Sequence, residues 1–241
     1  MRLVIALLAL AAPALVQPVR AAQDFEYSTA ETRKLMHAYA QCAVARQARR
    51  ASEALVRNVD NSVILRTYPQ LIAGDCLAKQ TRRSTKMSFS GDLYRYALAD
   101  ALVSHEFSTS EALRFESVPR LDHRDPGELP KPIGANGKRL SARKYEAAVK
   151  DHKQGAAIAY ISRYGECVVR SAPGEARALL KTAPDSAEES VRFGALRVAL
   201  GTCLREGESL RFGRTTLRGT IAVNYYRLAY AARAGAAGTA L

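Results

Sequence analysis

Residues 39–44 read YAQCAV, and residues 164–169 read YGECVV. Two of the four cysteines in a chain of 241 residues therefore occupy one YxxCxV frame. At a constant offset of 125 positions Tyr39 falls on Tyr164, Cys42 on Cys167, Val44 on Val169, Ala51 on Ala176, Leu55 on Leu180 and Asp60 on Asp185. After a two-residue length change Cys76-Leu77 falls on Cys203-Leu204, and Phe89-Ser90 followed by Leu93 is similar to Phe212-Gly213 followed by Leu217. Scattered matches arise by chance in an Ala-rich chain, but ordered pairing of all four cysteines does not. The spacing implies an internal duplication of about 70 to 100 residues per copy.

Apolar residues within each copy recur at helical intervals. In the first copy Tyr94, Ala97, Leu98, Ala101 and Leu102 lie on one stripe; in the second, Leu217, Ile221, Tyr225, Leu228 and Ala232 do. Ser186 and Glu189 form a capping box, and Pro173 stands where the first position of a short helix belongs. These signals place helices in the second copy near 143–171, 173–182, 186–204 and 214–232, the first with a possible break at Gly155. Tyr68-Pro69 shortens the third element of the first copy, because proline lacks the N–H a continuing helix needs. No strand of period two is present, so the expected class is all-α: two similar four-helix repeats joined by a linker. The expected organisation is residues 22–110 as the first repeat, 111–141 as the linker, 142–234 as the second repeat and 235–241 as a flexible tail. The linker carries Pro119, Pro126, Pro130, Pro132, Gly127, Gly134 and Gly137, which deny a helix its donors and stiffness.

Cys42 and Cys167 are expected on the first helix of their copies, Cys76 and Cys203 near the third. Duplication selects the pairings 42 to 76 and 167 to 203, since each copy then repeats its own geometry. Each bridge closes a loop of about 35 residues, worth about 3 to 4 kcal/mol at most by the chain-entropy model. Such bridges persist in oxidising compartments. The N-terminus agrees with export: Arg2, an apolar run over residues 3–15 and a small-residue stretch around Val19 and Ala21 have the layout of a signal peptide over 1–21, cut between Ala21 and Ala22. The run is shorter than the roughly 20 residues a membrane span requires, and Pro13 interrupts it. A periplasmic or secreted location follows as the expectation.

The formal net charge is +13, from 36 basic and 23 acidic residues. Cleavage after Ala21 removes Arg2 and Arg20 and leaves +11. Such a balance favours anionic partners, although no block of five or six like charges concentrates it. Arg46, Arg49, Arg50 and Arg57 form one basic cluster, and Lys79, Arg82, Arg83 and Lys86 another. Neither carries the interleaved aromatics of a nucleic-acid stacking platform, which disfavours nucleic acid.

Signatures of catalysis are absent. The cysteines lack the short CxxC spacing of zinc or redox sites. There is no GxSxG, HExxH or phosphate-binding glycine loop, so no catalytic residue, metal ligand or cofactor is assigned. The histidines are His37, His105, His123 and His152. Asp122, His123 and Asp125 could contact a metal, but a polar turn explains them better. Residues 217–234, LRGTIAVNYYRLAYAARA, gather Tyr225, Tyr226 and Tyr230 with Arg218, Arg227 and Asn224. Ile221, Tyr225 and Leu228 read as a core stripe, with Arg218 and Arg227 on its solvated flank.

The combination of ECVV, the ACL or TCL cysteine spacing, LRG and a Tyr-rich last helix resembles secreted helical-repeat proteins of sphingomonad-type alphaproteobacteria. That resemblance implies export and the repeat, and brings no activity, ligand or partner. The expected role is a non-catalytic envelope or secreted binding module, acting on an envelope protein or an anionic envelope component. The alternatives are a periplasmic hydrolase whose site is assembled from scattered residues, and a carrier of a small apolar ligand.

Overall fold

The computed structural model describes residues 30–72, 74–80, 92–107, 113–134, 137–204 and 213–238. The expected signal peptide, with its junction at Ala21 and Ala22, lies outside them. The described residues are mostly helical and contain no strand. The elements are α1 (Ala30–Val56), α2 (Asn61–Thr67), a 3-10 turn (Pro69–Leu71), α3 (Gly74–Gln80), α4 (Leu93–Glu106), α5 (Ala142–Ser171), α6 (Pro173–Leu180), α7 (Ala187–Ala195), α8 (Arg197–Thr202) and α9 (Arg214–Gly238).

Local chemistry explains the boundaries. Asp60 caps α2 by accepting from the Val63 N–H, Ser141 caps α5 through the Lys144 N–H, and Ser186 caps α7 through the Glu189 N–H. Pro173 opens α6 and Pro69 the 3-10 turn, where a missing N–H costs nothing. Asn58 and Asp185 adopt φ of 54° and 59°, the left-handed region that Asx residues tolerate better than most. The expected segment 186–204 is two short helices parted at Leu196, and α5 runs unbroken through Gly155.

Both disulfides pair as the sequence implies: Cys42 with Cys76, and Cys167 with Cys203, at Cα separations of 5.7 and 5.8 Å. Each ties a long helix to a short element, and tyrosines hold backbone carbonyls nearby in sequence. Tyr164 donates to the Leu200 carbonyl at 2.9 Å, while Tyr94, which shares a hydrogen bond with Tyr39, donates to the Leu71 carbonyl.

Helices α4 and α9 form the centre. They run side by side in the same direction, since Tyr96 meets Gly219 near their starts and Phe107 meets Tyr226 further on. Helix α1 packs on α4, and α5 and α6 pack on α9. Residues 218–229 of α9 are all buried, so this helix has no solvated flank and the amphipathic stripe expected of it is replaced by burial on every side. Close approach is possible because the facing residues are small. A Cβ on Gly219 would lie 2.3 Å from the Tyr96 ring, and one on Gly165 of α5 would lie 2.5 Å from Thr220 Oγ1.

The proline-rich segment is non-helical and firmly docked. Phe115 and Val118 enter the core, and the Phe115 ring meets Tyr225 edge-on at 5.5 Å. Arg170 of α5 donates to the carbonyls of Phe115, Val118 and Pro119 at 2.6, 3.1 and 2.7 Å. Asn58 reaches the Asp122 carbonyl at 3.0 Å. One strap is thus gripped by Asn58 from before it in the chain and by Arg170 from after it.

Candidate functional site

A buried cluster of charges joins α1, α4, α7 and α9. Glu189 is fully buried; its carboxylate accepts from Arg33 Nη2 at 3.0 Å, Arg218 Nη1 at 3.1 Å and the Asp185 N–H at 3.0 Å. Arg33 also pairs with Asp185. Arg218 donates through Nε and Nη2 to the two oxygens of Asp100 at 3.0 and 3.1 Å. It spends its other protons on the carbonyls of Leu179, Leu180 and Thr182 and on the Thr182 hydroxyl. His37 Nδ1 lies 2.9 Å from Asp100 Oδ2. Burial pushes the Asp100 carboxyl up, but hydrogen bonds and charge from His37 and Arg218 outweigh it and hold the group below its usual value. The carboxylate only accepts, so Nδ1 carries the shared proton.

This cluster is the closest approach to catalytic geometry at the helix core, and its space decides what it can do. The cavity beside it, walled by Arg33, His37, Asp100, Arg218 and apolar side chains such as Met36 and Tyr96, holds about 40 Å³. That admits a few waters, against the roughly 300 to 1,000 Å³ of a ligand pocket. Both guanidiniums are already matched by carboxylates. Three acids and two arginines tied to one another by these ion pairs build a core rather than a substrate site.

A second cluster lies under the strap. His123 Nδ1 is 2.8 Å from Ser162 Oγ, and its Nε2 is 2.6 Å from Glu166 Oε2. Burial pushes Glu166 up, but His123, the Leu121 N–H and Arg170 together bring its carboxyl down to about 2. Serine, imidazole and carboxylate in series resemble a nucleophilic relay in connectivity alone. Ser162 and Glu166 stand one turn apart in the middle of α5, whose N–H groups are consumed by its own ladder, so no backbone donor is left to stabilise an oxyanion beside Ser162. With both ring nitrogens engaged, His123 acts as a clamp that fastens the strap to α5. Nearby, Arg124 pairs with Asp92, and Arg95 lies 3.8 Å from the same carboxylate and donates to Asn58 Oδ1 at 2.6 Å. Burial lowers Arg95 to about 10.

The residues singled out in the sequence separate accordingly. Asp122, His123 and Asp125 do not converge: the Asp125 carboxylate accepts from the Gly127 N–H while His123 turns inward. Among the described residues no group of three potential ligands is placed to hold a metal. Tyr225 and Tyr226 are core residues, and Tyr230 is 42% exposed. Arg218 and Arg227, expected on a solvated flank, are 4% and 7% exposed, because α9 is central; Asp100 and Glu189 receive Arg218, while Arg227 lies in the field of Asp122 and Glu166 without an ion pair to either. Of the two basic clusters, Arg46, Arg49 and Arg50 lie on α1 and Arg57 in the turn after it, whereas Arg82, Arg83, Lys86 and the Lys79 side chain fall outside the described residues. Sequence reading missed Arg33, Asp100 and Glu189. Only the capping box pointed to one of them, and it pointed to helix initiation.

Larger concavities lie at the surface. One, of about 280 Å³, is walled by Arg49, Ser52, Glu53, Val56, Arg57 and Tyr230. Another, of about 350 Å³, is walled by Tyr145, Glu146, Val149, Lys150 and Lys153 on the exposed first half of α5. Each sets a tyrosine and a valine beside two cations. Comparison of the chain with family models, curated proteins and solved structures finds no match.

Proposed function

We propose that this protein is an exported, non-catalytic binding module of the periplasm or secreted space, made of two similar helical lobes and directed at an anionic envelope component. One observation carries the reading: the interior guanidiniums are met by carboxylates around a cavity that admits a few waters, while the larger concavities at the surface each set two cations and a tyrosine beside one glutamate. Two disulfides support a role in an oxidising compartment. The net charge, +13 for the whole chain and +11 after cleavage of residues 1–21, supports an acidic partner. Among the described residues no helix is long and apolar enough to cross a membrane, in keeping with binding at a surface. The disulfides, at near-equal sequence separations of 34 and 36, support two lobes of common origin.

Sedimentation with phosphatidylglycerol vesicles tests the reading. Binding is expected at 20 mM salt and is expected to fall several-fold at 500 mM, where the Debye length shrinks to about 4 Å. Binding equal at both salt concentrations, or absent at both, refutes it.

A further inference from the structure

Resting on that anion-binding reading, we infer that the groove between α1 and α9 is a binding site for a phosphomonoester group. Helix α1 kinks at Gln47, and the part beyond the kink, with Arg57 in the turn that follows, brings Arg49, Ser52, Glu53, Val56 and Arg57 to a wall completed by Tyr230 of α9; Arg50 pairs with Glu53 outside that wall. Three guanidiniums stand within about two turns around one carboxylate. Glu53 serves Arg50 at 3.2 Å and Arg57 at 3.4 Å, and also accepts from the Tyr68 hydroxyl at 3.4 Å. Among the described residues Arg49 has no ion pair. Its counterpart Arg46, one turn earlier, is matched by Asp75 at 3.0 Å. The local surplus is therefore two positive charges.

A phosphomonoester carries a charge of about −1.5 to −2 and three acceptor oxygens, which matches that surplus; a carboxylate carries half as much and leaves one guanidinium unanswered. Guanidinium forks suit phosphate oxygens in pairs, and the Tyr230 hydroxyl stands in the same wall as a further donor, while the Ser52 hydroxyl is bonded to Tyr226. Val56 and Tyr230, 37% and 42% exposed, offer apolar surface to the carbon body that bears the phosphate. A lipid headgroup and a free phosphate share this chemistry, and the choice of probe separates them.

Isothermal titration of the mature protein with inorganic phosphate, soluble dihexanoyl phosphatidic acid and hexanoate measures the site, with Arg49→Gln and Arg57→Gln as variants. Arg139→Gln, an exposed arginine elsewhere, is the control. At least one phosphate probe is expected to bind, both groove variants to weaken it about five- to tenfold, and the control to leave it unchanged. Tighter binding of phosphatidic acid assigns a lipid source, and equal binding of inorganic phosphate assigns a free one; both uphold the site. Hexanoate binding as tightly as the phosphates, or indifference to Arg49→Gln and Arg57→Gln, overturns it. Vesicle binding by the unaltered protein without binding of either phosphate probe removes the groove and leaves the wider anionic reading standing; absence of both removes both. Unchanged circular dichroism in the variants, whose substituted side chains are exposed, separates lost affinity from lost fold.

Discussion

Glu188 and Glu189 are adjacent in sequence, both in the first turn of α7, and the structure gives them opposite weights. The Glu188 side chain is 62% exposed and meets Arg192 at 3.4 Å within the same helix. Glu189 is fully buried between Arg33 and Arg218 and also accepts the Asp185 N–H. Replacing Glu189 with glutamine keeps its shape and leaves Arg33 with Asp185 and Arg218 with Asp100, but it takes the charged acceptor from two buried guanidiniums. Each charge-assisted hydrogen bond weakened in this way is worth about 1.5 to 3 kcal/mol. Removing Glu188 forfeits an exposed pair one turn apart, worth about 0.3 to 0.5 kcal/mol. Urea unfolding at pH 7 without reductant separates these numbers. Glu189→Gln is expected to lower the midpoint sharply with little change in slope and to lower Tm by about 10 °C, while Glu188→Gln stays within error of the parent. A loss below 1 kcal/mol for Glu189→Gln would refute the argument that this acid holds the core, and would mean that water replaces it at little cost.

Acid sensitivity follows from Glu166 and Asp100. Both carboxyls are held below their unfolded values, Glu166 at about 2, so their contribution is full above roughly pH 4.5 and is lost as pH falls towards 2. Denaturant midpoints should be flat from pH 7 to 5 and then decline, with a shallower decline in Glu166→Gln; an identical decline in that variant contradicts the clamp. Gly219→Ala would set a methyl 2.3 Å from the Tyr96 ring and should cost about 1 to 3 kcal/mol. Gly194→Ala, with nothing within 4 Å, should stabilise α7 by about 0.5 to 1 kcal/mol, and thermal melts of the two variants moving in the same direction would count against the close α4–α9 contact. Alkylation of the folded protein without reductant should leave its mass unchanged, and reduction should expose four thiols while removing about 3 kcal/mol per bridge; label on any cysteine before reduction contradicts the pairing.

Much of the fold was legible because its signals are local. Capping serines, Pro69 and Pro173 act on the residues beside them, and the helix ends at 171, 173 and 214 lie within a residue or so of where those signals put them. The disulfide pairing was legible for a different reason: a duplicated spacing restricts which cysteines can meet. Burial was misread at α9, because Arg218 and Arg227 look like the outer face of an amphipathic helix until α4, α5 and the strap close around it. The basic face of α1 was visible as a run of arginines, yet its surplus depends on Glu53 being shared and on Tyr230 arriving from 170 residues away.

Class, bridges and most helix boundaries therefore follow from spacing and from chemistry within a few residues. Which charges become core and which remain available to a ligand was decided by tertiary packing. Charge carries no information about its own partner: Arg33 and Arg49 are alike in the chain, and they differ because one meets Asp185 and Glu189 from more than 150 residues away, while no described carboxylate reaches the other.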